Sequence, residues 1–78
     1  VLFLIDYDRD KGAVVELREF GDEHRRTAED ARLELEVSLN RRGITREVVL
    51  LQAEDRKALE LTHRRYFAGL DDLARATG

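Results

Sequence analysis

Two short runs in this chain are apolar at every step, Val1-Leu2-Phe3-Leu4-Ile5 and Val48-Val49-Leu50-Leu51. Strand side chains alternate between faces, so a strand built on either run is greasy on both sides. Residues 13–20 alternate instead. Val15 and Leu17 are expected on one face and Glu16 and Arg18 on the other, the pattern of an edge strand with one wet face. Between residues 1–8 and 13–20 lies the polar cluster Asp8-Arg9-Asp10-Lys11, closed by Gly12. A glycine after such turn formers predicts a bulged hairpin with its left-handed position at Gly12.

Helical periodicity follows. Ala28, Ala31, Leu35 and Leu39 recur at offsets of three and four, and Asp22 is a candidate N-cap for a helix reaching about Arg41. Arg41-Arg42-Gly43 is a stop signal, with cations at the negative helix end and then a residue free to turn left-handed. Leu33 and Val37 fall on the opposite side of the helical wheel, forming a small second apolar stripe. A third strand is predicted over residues 44–53. A last helix, capped by Asp55, is predicted from about Arg56 to Ala76. Its buried stripe would be Leu59, Thr62, His63, Tyr66, Leu70 and Leu73, with Gly69 interrupting the pattern.

The predicted order is β-β-α-β-α, an α+β class domain spanning residues 1–78. Its sheet is an N-terminal hairpin with the third strand beside the first, and two helices lie on one face. That arrangement leaves the other face bare. A chain of 78 residues buries only about 60% of the surface its unfolded form exposes, so small domains are commonly reinforced by disulfides, metals or oligomerisation. Cysteine is absent and histidine occurs twice, at His24 and His63. Association with a second copy is the reinforcement left. A dimer is therefore expected, through Leu2, Leu4, Val49 and Leu51 of the sheet or through Leu33 and Val37 of the first helix.

Charge narrows the classes further. Fourteen Lys and Arg stand against 17 Asp and Glu, net −3, with both signs interspersed. A dedicated nucleic-acid binder is more often basic overall. The pairs Arg25-Arg26, Arg41-Arg42 and Arg64-Arg65 diverge by about 100° on a helix and read as solvated faces. No run of about 18 apolar residues and no signal-peptide layout occurs, so a cytoplasmic protein without a membrane segment is expected. The chain opens on Val1 rather than Met, which leaves room for residues upstream.

Two constellations are candidates for chemistry. Asp6, Asp8 and Asp10 alternate ahead of Gly12, so their oxygens could converge on a hard cation. The spacing departs from a calcium loop, since Lys11 stands where that loop has glycine. The plainer reading is a hairpin whose aspartates bind their own backbone. Thr62, His63 and Tyr66 form a polar trio within an apolar stripe, and His63 with Tyr66 could act as acid and base. Here the plainer reading is a half-buried pair satisfied locally. Neither a phosphate-binding glycine loop nor a nucleophile elbow nor a zinc motif is present. The sequence therefore favours a non-catalytic, self-associating interaction module that needs no cofactor. The alternatives are a metal-dependent or acid/base enzyme, and a small regulator docking on a protein or a nucleic acid.

Overall fold

The computed structural model describes residues 1–67. Strand β1 (Leu2–Asp8) pairs antiparallel with β2 (Ala13–Phe20) on one side and with β3 (Glu47–Gln52) on the other. The sheet order is β2-β1-β3. Helix α1 (Arg25–Arg41) connects β2 to β3, and α2 (Arg56–Thr62) follows β3. The class, the element order and the central place of the apolar first strand are as the sequence predicts.

Local signals explain the turns. Asp8 Oδ1 accepts from the amides of Asp10 (3.0 Å) and Lys11 (3.1 Å), and Gly12 takes φ +63°. Two pairs in from this turn, register slips. Asp6 faces Glu16 but Tyr7 faces Val14, so Val15 is an inserted bulge residue. The bulge corrects the predicted alternation: Val14 and Leu17 pack toward the core, and Val15 is 50% exposed.

Asp22 does not cap α1. It opens a single 3-10 turn (Asp22–His24), its carboxylate accepts from the Val1 nitrogen at 2.8 Å, and the helix begins only at Arg25. The C-terminus behaves as predicted. Gly43, at φ +67°, donates to the Asn40 carbonyl and Ile44 donates to that of Leu39, which closes a Schellman motif. Asp55 caps α2 by accepting from Ala58 N at 2.8 Å.

The helices lie on opposite faces of the sheet, not on one. Phe3 and Ile5 cluster with Leu59, Tyr66 and Phe67, which come from α2 and the 3-10 turn Arg64–Tyr66 behind it. Alternation sends Leu2, Leu4 and Asp6 to the other side, where α1 packs on β1 and β3 and buries Ala28 and Leu39. Leu2 and Leu4 are 1% exposed. The bare face expected from the sequence is therefore covered, because a strand apolar at every step requires cover on both sides.

Helix α2 also ends before its pattern does. The Thr62 hydroxyl turns back to the Ala58 carbonyl (3.0 Å), and His63 leaves the helix at φ −125°, ψ 52°. That break lets Tyr66 and Phe67 turn into the core. Gly69, Leu70, Leu73 and the remainder of the predicted helix lie outside the described residues.

Candidate functional site

The three aspartates of the hairpin are not brought together. Asp6 is 3% exposed on the α1 side, where Oδ2 accepts from Arg46 Nη1 at 2.8 Å and Oδ1 has no partner among the described residues. Asp8 is occupied by its own turn, and Asp10 is exposed at the hairpin tip. Among the described residues, no group of three or more histidine and acidic side chains gathers as a metal ion would require.

Thr62 and His63 are joined, with Oγ1 and Nδ1 2.8 Å apart. Tyr66 belongs to a different neighbourhood. Its ring meets Tyr7 edge-on at 5.1 Å, and its hydroxyl accepts from Arg65 Nη2 at 3.2 Å. The Arg65 guanidinium lies 4.6 Å from the Tyr66 ring centroid and also ion-pairs with Glu47. Glu47, cross-strand from Tyr7, receives two further bonds on Oε1 from Arg9, at 2.7 and 3.1 Å. Sequence reasoning did not single out Glu47. Its only signal was a lone acid ahead of an apolar strand, and its partners lie 18 and 38 residues away.

This cluster is electrostatically locked. Bonds from Arg65, then from Tyr66 and Arg9, hold the Glu47 carboxyl at about 2, below its ordinary 4.5. A carboxylate held that low is a poor general base near neutrality, and both its oxygens are occupied. Burial, reinforced by the nearby Glu47 carboxylate, pushes the Tyr66 phenol up, further from any proton transfer at neutral pH. The arrangement fastens the hairpin and the segment after α2 to the start of β3. That is a structural task.

The remaining candidates are surfaces. On α1, Leu33 (59% exposed) and Val37 (41%) stand away from the sheet and border a shallow hollow with Glu34, Ser38 and Arg41. On β3, Val49 and Leu51 face α2 and are half-buried, while Val48 and Leu50 face α1 and are likewise half-buried. The β3 backbone is informative too. Ala53 N donates to Val1 O at 3.0 Å, and Leu2 stands opposite Gln52. Antiparallel ladders alternate bonded and non-bonded pairs, so Leu51 and Val49 bond to β1. The amides and carbonyls of Val48, Leu50 and Gln52 therefore point out from the sheet margin.

No protein-family model matches the chain, and comparison with curated proteins and with solved structures likewise gives no match. Among the described residues, no helix is long and apolar enough to cross a membrane.

Proposed function

We propose that this chain is a non-catalytic interaction module whose first partner is a second copy of itself, joined along β3. One observation supports the reading above others: among the described residues, β3 is an outer strand with four consecutive apolar residues. Outer strands are ordinarily guarded by charge, proline or bulges, because unpaired backbone groups invite another strand. The other margin of this sheet is guarded in that manner. β2 carries the Val15 bulge together with Glu16, Arg18 and Glu19. An unguarded margin on one side only is the mark of a docking edge.

Sedimentation equilibrium at micromolar concentration tests the proposal. Twice the chain mass is expected for the wild type, and the chain mass alone for Val48→Lys, which sets a charge on the α1 face of the strand that carries the open margin. A wild type that sediments as a single chain at 100 µM removes the proposal. The exposure of Leu33 and Val37 favours a second reading, in which the second copy docks on the outer side of α1. Joint replacement Leu33→Glu and Val37→Glu leaves the dimer intact under the first reading and dissolves it under the second.

A further inference from the structure

We infer that the two copies meet about a two-fold axis midway between Leu50 and its copy, and that a charge stripe on α1 sets that register; the inference rests on the self-association proposed above. The backbone restricts the choices. Outward-pointing groups belong to Val48, Leu50 and Gln52, and an isologous antiparallel pair keeps each face on its own side. Centring on Leu50 uses all three residues: Leu50 bonds its own copy, and Val48 bonds Gln52 of the partner subunit. The sheet then runs six strands without a break.

Helix α1 supplies an independent indication. Its Arg25 bonds Gln52 Oε1 at 3.2 Å, while its Glu36 and Asn40 share a hollow with Val48. The helix thus runs antiparallel to β3, with the Arg25–Glu36 side toward the open margin. That side carries Arg25, Glu29, Arg32 and Glu36, all exposed, at offsets of four, three and four. Among the described residues, none of the four is in a salt bridge.

The signs alternate, plus, minus, plus, minus, so the stripe complements itself when reversed. Arg25 meets Glu36 of the partner subunit and Glu29 meets its Arg32, with the axis level with residues 30 and 31. The strand gives nearly the same level. From Gln52 to Leu50 is two strand residues at about 3.3 Å, or about four helical residues at 1.5 Å, which leads from Arg25 to Glu29. Spacing agrees as well. A helix seated over β1 and β3 lies about 5 Å from the axis, since strands are about 4.8 Å apart, so the two α1 helices run about 10 Å apart, an ordinary packing distance.

A charge-swap experiment tests the inference. One variant carries Arg25→Glu with Arg32→Glu, and the other carries Glu29→Arg with Glu36→Arg. Each stripe then has a single sign. Self-association of each variant alone is expected to weaken at least tenfold, with the far-ultraviolet circular dichroism retained. An equimolar mixture is expected to recover a heterodimer at least as tight as the wild-type dimer, with the recovery diminished by salt. If the wild type dimerises and both variants dimerise equally well, or if the mixture brings no recovery, the stripe and its axis are wrong while self-association stands. A monomeric wild type overturns both.

Discussion

Two carboxylates stand on the two sides of this small sheet, Asp6 buried and Glu47 partly so, and the protein handles them differently. Asp6, on the α1 side, has one guanidinium partner and, among the described residues, one oxygen without any. Glu47, on the α2 side, has two arginines, and their side chains are 70% and 62% exposed. The comparison teaches that burial and bond count decide how a charge fails. A buried acid with a single partner depends wholly on that partner. A carboxylate with redundant, water-exposed partners loses its support in small steps.

The largest effect is expected on the Asp6 side. Arg46→Ala leaves a buried carboxylate alone and should lower stability by about 3 kcal/mol in urea denaturation at pH 7. Joint replacement of Asp6→Leu and Arg46→Met should come within about 1 kcal/mol of the wild type, because ion pairs of this kind are replaceable by packed apolar groups. A single Arg46→Ala variant as stable as the wild type would show that Asp6 does not need its partner.

An intermediate effect belongs to pH. The Glu47 carboxyl sits at about 2 in the folded chain and near 4.5 when free of its partners. Its contribution is therefore complete above pH 4.5 and is lost progressively as pH falls toward 2. Unfolding curves at pH 7, 4.5 and 3 should show this decline, and Glu47→Gln should flatten it while lowering stability at pH 7. An unchanged slope in that variant would assign the acid sensitivity to other groups. The smallest effect is expected from Arg9→Ala, less than about 1 kcal/mol, since this arginine is mostly solvated and Arg65 remains. A loss as large as that of Arg46→Ala would erase the contrast between the two sides.

The same contrast shows what could be read from residues alone. Gly12, Gly43 and Asp55 act within a few residues of themselves, and each does what its neighbours in sequence imply. The stripe Ala28, Ala31, Leu35, Leu39 correctly marks the side of α1 that meets the sheet, since helical periodicity is a local property. The placement of the two helices was not local. The all-apolar strands already required cover on both faces, but the sequence has no periodic signal for which helix goes where. Val15 misled for a related reason: strict alternation holds only while register holds, and the bulge shifts it by one. The predicted Arg56–Ala76 stripe runs straight through the break after Thr62, because Thr62 and His63 fit an apolar stripe as well as they fit a break. Glu47 was invisible for a third reason, that its partners assemble only once Tyr7, Arg9 and Arg65 converge in space.

The residue squeezed into β2 at Val15 has a consequence for how far aggregation could proceed. Molecules with two receptive flanks stack without limit, as fibrils do. Here one flank is puckered and studded with charge, so addition of a neighbour at the other flank uses up the whole capacity for growth. For the dimer proposed above, this irregular valine and the charges beside it would set the limit at two and keep a very oily ribbon from becoming a filament.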